Sequence, residues 1–306
     1  MDYTRICMAE TISNSMKFLV TGSSGLVGNQ VIKDLTNQDH KVFSCYHDAK
    51  PTFGQAIFLD LADKQSIIDV MKNTKPDIVI HLAAMTNVDL CETQKDLAIK
   101  INADATETLA KEAAKQNAFF VYISTDYVFD GKDGMKKESD EPNPLGMYGK
   151  SKLEGERKVQ NLASSWAIAR ISTPFGVHPT KKSFPIWVKE NLEKNQQINV
   201  LVDQFTSPTY VPNLSKMIIE ITTRQIVGIL HISGASKISR YEFAEQIADK
   251  LSLDKKLINP SSMNDMNWIA MRPKDSSLDV SKANEILNEK PQTIKESLEF
   301  FTKSLL

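Results

Sequence analysis

Residues 145–156 read LGMYGKSKLEGE and place the phenol of Tyr148 four residues before the ammonium of Lys152. If this run is helical, the two groups lie on one face, one turn apart. An ammonium beside a phenol favours the tyrosinate and lowers a pKa that is otherwise about 10. Such a phenol can give a proton to a ketone, or take one from an alcohol, near neutral pH.

The spacing alone does not select this pair, because Tyr46 and Lys50 have the same separation. Tyr46 follows an apolar run and is followed closely by Pro51, which favours a loop. Tyr148 enters a run of alternating apolar and charged residues that is typical of a helix. We therefore expect the chemistry at Tyr148 and Lys152.

A polar segment, Ser124, Thr125 and Asp126, follows the apolar run 119–123. The apolar run predicts a buried strand, and an open α/β sheet binds its ligand at the carboxyl ends of its strands. The hydroxyl of Thr125 is therefore expected beside the phenol of Tyr148.

Size and composition set the class of protein. The chain has 306 residues, 41% of them hydrophobic and 25% charged, which is ordinary for a globular protein. A net charge of -1 gives no electrostatic case for nucleic acid or an anionic membrane. No apolar run approaches the roughly 20 residues of a membrane span. The three cysteines are scattered without metal-type spacing, so we expect a reduced, cytoplasmic protein.

A glycine-rich turn follows the apolar run 16–21 and precedes a helical pattern. Gly22 permits the tight turn, Gly25 lets backbone approach a pyrophosphate, and Gly28 lets the helix pack on the strand. The start of the helix adds free N–H groups and a positive dipole end. The candidate cofactor contacts on this turn are Gly22, Ser24, Gly25, Leu26 and Val27.

Two further strand ends carry candidate cofactor contacts. Asp60 and Leu61 follow the third predicted strand, where a carboxylate can accept a hydrogen bond from an adenine amino group. The alternative is that Asp60 is the N-cap of a helix starting at Ala62. The fourth predicted strand is followed by Ala83, Ala84 and Met85. The small side chains in this segment would let a ribose and a nicotinamide come close.

The end of the second predicted strand bears on cofactor choice. An acidic residue there would bind the ribose 2′-hydroxyl and select NAD. The chain has no acidic residue until Asp48, and Lys50 could reach a 2′-phosphate. The pattern favours NADP(H) as the cofactor, with NAD(H) as the alternative.

Strand and helix patterns alternate up to the strand at 166–170, which predicts an α/β fold with a doubly wound parallel sheet of the Rossmann type. Five prolines within the next forty residues or so break this rhythm and suggest a smaller, mainly C-terminal, substrate-binding region. We expect a disordered or mis-started extension at 1–15, a dinucleotide-binding domain at 16–175 and the substrate-binding region at 176–306. Residues 226–232 are expected to return to the main sheet.

Together these segments resemble an extended short-chain dehydrogenase/reductase. Within that superfamily the chain is similar to the dTDP-4-dehydrorhamnose reductase family. The matching segments are 21–28 (TGSSGLVG), 83–89 (AAMTNVD), 101–106 (INADAT), 124–129 (STDYVF), 148–152 (YGKSK), 203–209 (DQFTSPT) and 272–279 (RPKDSSLD).

The resemblance implies reduction of the 4-keto group of a nucleotide-linked 4-keto-6-deoxy sugar, as in dTDP-rhamnose biosynthesis. Tyr148 would donate the proton, Lys152 would lower its pKa and hold the nicotinamide ribose, and Thr125 would hydrogen-bond the reacting oxygen. The implied substrate contacts are Thr86, Val88, Thr125, Asp126 and Tyr148. A homodimer is the assembly we consider, with the nucleotide sugar as the expected partner.

One departure and two alternatives limit what the resemblance implies. Related reductases usually have a tryptophan near the sugar where this chain has Thr173. The family also includes the regulatory β-subunit of methionine adenosyltransferase, a cofactor-binding module that is not an enzyme. A nucleotide-sugar epimerase, which recycles its cofactor within the site, is the other alternative.

Overall fold

The computed structural model of the protein describes residues 15–305, so the extension expected at 1–15 lies outside the described residues apart from residue 15. The strands are β1 Lys17–Thr21, β2 Lys41–Tyr46, β3 Gln55–Phe58, β4 Ile78–His81, β5 Phe119–Thr125, β6 Trp166–Ile171, β7 Pro174–Phe175, β8 Ile198–Leu201, β9 Phe205–Thr206, β10 Thr209–Tyr210, β11 Gly228–His231, β12 Ile238–Ser239 and β13 Ile258–Ser261. The α-helices are α1 Leu26–Thr36, α2 Lys64–Thr74, α3 Val88–Thr93, α4 Lys95–Ile99, α5 Ala105–Lys115, α6 Met147–Leu162, α7 Phe184–Glu193, α8 Val211–Thr223, α9 Arg240–Leu251, α10 Ser281–Ile286 and α11 Ile294–Lys303.

Seven strands form the main sheet in the order β11-β6-β5-β4-β1-β2-β3. Every neighbouring pair in this sheet is parallel. The strand order reverses between β1 and β4, which is the switch point where such sheets bind ligands beyond their carboxyl ends. The predicted doubly wound parallel sheet is confirmed.

Helices cover both faces of the sheet. One buried cluster includes Val31 of α1 and Ile218 of α8, and the cluster on the opposite face includes Leu109 of α5 and Val159 of α6. All seven residues of β5 are buried, as expected for a central parallel strand that is covered on both sides. This packing holds the carboxyl end of β5 rigidly in the middle of the sheet.

A smaller unit begins within the proline-rich stretch. Strand β8 pairs with β13, and helices α7, α9 and α11 pack around them. Its core centres on Phe175, whose ring lies 5.3 Å from that of Phe243 and 5.7 Å from that of Phe301. Strand β11, although late in the chain, pairs with β6 in the main sheet.

The segment from α4 to α5 is helical throughout but is not one continuous α-helix. A π-helical turn, Lys100–Asp104, separates α4 from α5. This turn directs the side chain of Asn102 towards the backbone of Met85, with which it exchanges two hydrogen bonds. A π-turn inserted in an α-helix commonly marks a functional position.

Between residues 15 and 305, no helix is both long enough and apolar enough to cross a membrane. The same part of the chain contains no group of three or more histidine, cysteine or acidic side chains arranged to hold a metal ion.

Candidate active site

The glycine-rich turn joins β1 to α1 with very little space around it. Gly22 has a φ of 70°, and a Cβ atom there would lie 2.8 Å from the backbone nitrogen of Ala83. A Cβ atom on Gly28 would lie 2.1 Å from the carbonyl oxygen of Gly22. Gly25 is the N-cap of α1 and has no capping side chain. The turn therefore suits a pyrophosphate approaching the first amides of the helix.

The side chains predicted on this turn differ in exposure. Ser24 and Leu26 are half-buried, whereas Val27 is buried within the core. Val27 could therefore contact a cofactor through its backbone but not through its side chain.

The side chain of Asn102 holds the segment after β4 in place through hydrogen bonds. Its carboxamide oxygen accepts a hydrogen bond from the amide of Met85 at 2.8 Å, and its nitrogen donates to the carbonyl of Met85 at 3.1 Å. The same nitrogen donates to the hydroxyl of Ser151 on α6 at 3.0 Å. Asn102 thus joins the half-buried segment at Ala83, Ala84 and Met85 to the helix that carries Tyr148. We did not predict this role, although the INADAT motif pointed to the position.

His81 at the end of β4 is structural. Its ring nitrogens hydrogen-bond the hydroxyls of Thr21, at 2.7 Å, and Thr106, at 3.0 Å. Burial, together with the nearby Lys152 ammonium, lowers the pKa of His81 to about 3, so the ring is neutral. It ties β1 and β4 to α5 and takes no part in proton exchange near pH 7.

The N-cap alternative for Asp60 is wrong. Helix α2 begins at Lys64, and the side chain of Asp63 caps it by accepting a hydrogen bond from the amide of Gln65. Asp60 instead accepts a hydrogen bond from the amide of Ala62 at 2.8 Å, which closes the turn before the helix. Asp60 is half-buried, as is its neighbour Leu61. Contact of either residue with adenine stays a prediction.

The structure brings Tyr148, Lys152 and Thr125 together at the carboxyl end of β5. Tyr148 is half-buried in the first turn of α6, and Lys152 follows one turn later with 2% exposure. The ammonium of Lys152 donates to the carbonyl of Ile123 at 2.7 Å and lies 4.0 Å from the centre of the Tyr122 ring. Helix α6 carries the Lys152 ammonium and strand β5 binds it, so the two elements together fix its position.

The pKa values differ from the expectation that Lys152 lowers the pKa of Tyr148. Burial raises the pKa of Tyr148 above its usual range, and a hydrogen bond with Thr125 lowers it only in part. Burial also lowers the pKa of Lys152 to about 7, against the opposing effect of the Glu156 carboxylate. The spacing is as predicted, but at both groups desolvation has a larger effect on the pKa than the neighbouring charges and hydrogen bonds. The phenol is therefore protonated at neutral pH, as a proton donor must be.

The carboxylate of Asp126 holds the hydroxyl of Thr125 in place. The hydroxyl of Thr125 donates to the Asp126 carboxylate at 3.0 Å and accepts from the amide of Tyr127 at 3.2 Å. Asp126 is 4% exposed and also accepts from the hydroxyl of Ser172 at 2.7 Å. Burial raises the pKa of this carboxyl group. Direct contact of Asp126 with substrate stays a prediction.

A cavity of about 530 Å³ opens beside Tyr148. Its walls combine cationic, aromatic and aliphatic side chains: Tyr127, Lys182, Ser183, Phe184, Trp187, Asn199, Val200, Leu201, Gln204, Arg240, Met266, Trp268 and Arg272. The ring of Tyr127 lies 5.7 Å from that of Tyr148, edge to face, so the cavity is adjacent to the phenol. None of these lining residues was a predicted site residue, and they come from five separate parts of the chain.

The two arginines of the cavity differ in their partners. Arg272 is paired with the carboxylate of Asp89 at 2.9 Å. In contrast, no ion pair found within residues 15–305 includes Arg240, whose guanidinium lies 5.4 Å from the centre of the Phe184 ring. Arg240 is therefore the cation best placed to bind an anionic ligand in this cavity.

Three other positions bear on the substrate side of the site. Thr86 is exposed and Val88 half-buried in the segment that leads into α3, and their contact with substrate stays a prediction. Thr173 has a φ of 40°, an unfavourable conformation for a β-branched residue. Its carbonyl accepts a hydrogen bond from the amide of Thr209, which holds this strained turn in place.

Comparison with known proteins identifies the family. The family model described as the RmlD substrate binding domain matches residues 16–306. The chain belongs to this family. A crystal structure of dTDP-4-dehydrorhamnose reductase from Bacillus anthracis in complex with NADP has a TM-score of 0.85 and 30% identity, covering 94% of this chain and 99% of that one.

Two relatives of this RmlD-family protein have different descriptions. The probable low-salt glycan biosynthesis reductase Agl14 of Haloferax volcanii is 33% identical over 288 residues, or 92% of this chain and 96% of that protein. Methionine adenosyltransferase 2 subunit beta of Xenopus tropicalis is 34% identical over 276 residues, or 88% of this chain and 81% of that protein. Family membership is therefore compatible with a reductase and with a regulatory subunit.

Proposed function

We propose that this protein reduces the 4-keto group of a nucleotide-linked 4-keto-6-deoxy sugar with NAD(P)H. The observation that carries the proposal is the meeting of Tyr148, Lys152 and Thr125 beside a cationic and aromatic cavity at the carboxyl end of the sheet. Residues 16–175 would bind the dinucleotide and residues 176–306 would supply most of the substrate cavity. The glycine-rich turn fits the cofactor, because its tight backbone packing requires glycine and the uncapped start of α1 offers free amides to a pyrophosphate.

A nicotinamide cofactor supplies hydride when bound, and the chain's own residues manage the proton. Burial keeps the phenol of Tyr148 protonated, so it can give its proton to the ketone oxygen as negative charge develops there. The hydroxyl of Thr125 donates to Asp126 in this structure, and the same proton can turn to the ketone oxygen, where its hydrogen bond would stabilise the transition state more than the ground state. The Lys152 ammonium, held by Ile123, orients the cofactor's ribose.

The cavity supports a nucleoside diphosphate as the rest of the substrate. Arg240 is suited to the pyrophosphate, since charge-assisted hydrogen bonds to phosphate are the stronger kind. The rings of Phe184 and Trp187 lie 5.7 Å apart and offer flat apolar surface for a base.

Arg240→Met should raise the KM for the nucleotide sugar by about 10-fold or more, because a charge-assisted hydrogen bond contributes roughly 1.5–3 kcal/mol. NADPH affinity should stay unchanged, since Arg240 lines the substrate cavity. Steady-state kinetics and NADPH titration make the measurement. Arg157→Met removes an exposed arginine from α6 and is the matched control. Equal KM values in both variants would exclude Arg240 from substrate binding.

The direct test of the function is NADPH consumption by the purified protein with dTDP-4-keto-6-deoxyglucose. A reductase should oxidise one NADPH for each sugar reduced, whereas an epimerase would convert the sugar without net oxidation. NADPH should bind at least as tightly as NADH, because no carboxylate directly follows β2 and Lys50 is exposed near its end. A clear preference for NADH in titration would count against that assignment.

The second candidate is a non-catalytic, NADP-binding regulatory subunit. The observation in its favour is the 34% identity with methionine adenosyltransferase 2 subunit beta. Tyr148 and Lys152 could persist in such a module as cofactor contacts. NADPH binding without turnover on any keto-sugar nucleotide would favour this function over the reductase.

A further inference from the structure

Helix α3 contacts the wall of the substrate cavity through Asp89. One oxygen of this carboxylate accepts hydrogen bonds from the amides of Ile269, at 3.2 Å, and Ala270, at 2.9 Å. Both oxygens accept from the guanidinium of Arg272, each at 2.9 Å. The guanidinium in turn lies 4.6 Å from the centre of the Trp268 ring. Arg272 and Trp268 line the cavity, so Asp89 holds part of its wall in place.

The same helix contacts the start of α6 through Glu92. Its carboxylate accepts a hydrogen bond from the amide of Met147 at 2.8 Å. Met147 is the first residue of α6 and directly precedes Tyr148. A Cβ atom on Gly146 would lie 3.4 Å both from the Glu92 carboxylate and from the carbonyl of Met271. Gly146, at the start of α6, therefore lies close both to α3 and to the segment that carries the cavity wall.

We propose that Asp89 and Glu92 are positioning residues that couple the wall of the substrate cavity to the placement of Tyr148. The inference rests on the proposed function, in which the cavity binds the nucleoside diphosphate and Tyr148 donates a proton to the ketone oxygen. The two acids are three residues apart on one short helix, so a shift at either one moves the other. The ion pair with Arg272 lowers the pKa of Asp89 to about 2, which keeps its carboxylate charged.

Substitution of Asp89 should change mainly the KM for the nucleotide sugar, whereas substitution of Glu92 should change mainly kcat. Asp89→Asn removes the charge and leaves Arg272 without its partner, so the KM for the nucleotide sugar should rise by about 10-fold. Glu92→Met removes the acceptor for the Met147 amide, so kcat should fall several-fold with little change in KM. Asp96→Asn, at an exposed position on the adjacent helix α4, is the control and should change neither constant.

Hydrogen exchange tests the coupling without turnover. In Asp89→Asn, the amides of Ile269, Ala270 and Met147 should all exchange faster than in the wild type. Thymidine diphosphate should slow exchange at 266–272 and at Met147 in the wild type, but only at 266–272 in the variant. Arg272→Lys, which keeps the charge and loses the two-pronged pairing, provides the same comparison should Asp89→Asn fail to fold.

The outcomes separate this inference from the proposed function. An unchanged Met147 amide in both Asp89→Asn and Arg272→Lys would overturn the coupling, whatever the activity. A wild type that does not respond to thymidine diphosphate would contradict the proposed substrate class. In that case the exchange rates of the unliganded variants still decide whether α3 joins the two elements.

Discussion

Replacing Tyr148 with phenylalanine should lower turnover by about 10²–10⁴-fold, the usual contribution of general acid catalysis. Thermal stability and NADPH affinity should remain close to wild type, because only a hydroxyl is removed from a half-buried ring. The reason for the large effect is that the ketone oxygen gains negative charge as hydride adds. Thr125 can still donate a hydrogen bond there, but it cannot replace the transferred proton.

Reductase kinetics beside NADPH titration and thermal unfolding measure this effect. Tyr46→Phe is the matched control, because Tyr46 also has a lysine four residues later but lies at the end of β2. It should retain normal turnover. If Tyr148→Phe also kept normal turnover, the phenol would have no part in the chemistry.

The second large effect is expected for Lys152→Met, which should lose both turnover and NADPH affinity. The ammonium lies at the centre of the group, held by the Ile123 carbonyl and the Tyr122 ring, and methionine keeps its length without its charge. Lys150→Met changes an exposed lysine on the same helix and is the matched control. Normal NADPH affinity in Lys152→Met would remove Lys152 from the cofactor site.

Lys152→Met should lower activity but raise the free energy of unfolding near neutral pH. Burial lowers the pKa of Lys152 from 10.5 to about 7, so between these values the unfolded chain holds a proton that the folded chain has released. Wild-type stability therefore rises with pH across this window, and the cost of the buried charge is greatest below it. Lys152→Met should be more stable than wild type at about pH 6, on the order of 1 kcal/mol, and the gain should shrink towards pH 10. Thermal unfolding across this range measures it, and a gain that grew with pH would contradict the buried charge.

The sequence predicted the parts of the protein that depend on neighbours along the chain. The glycine-rich turn, the alternation of strands and helices, and the pairing of Tyr148 with Lys152 all follow from short-range periodicity. The break in the helix at Lys100–Asp104 was not predicted, because a π-turn leaves the apolar pattern nearly unchanged. Its cause is tertiary: the side chain of Asn102 hydrogen-bonds a distant strand end.

The cavity was beyond sequence reasoning for a related reason. Arg272 begins a segment that matches the family and Arg240 does not, but the neighbours of neither arginine along the chain show whether it has a carboxylate partner. Only the fold shows that Arg272 has the Asp89 carboxylate as a partner and that Arg240 faces the cavity without one among residues 15–305. Pairing between residues more than a hundred positions apart is a property of the packed chain.

By itself, the sequence determined the fold class and placed a phenol, an ammonium and a hydroxyl at the carboxyl end of one sheet. Tertiary structure alone decided how those groups titrate and what lies beside them. Spacing predicted that Lys152 would lower the pKa of Tyr148, but the packed structure raises it. The physical reason is that a separation of four residues sets a distance, whereas desolvation depends on every element packed around the site.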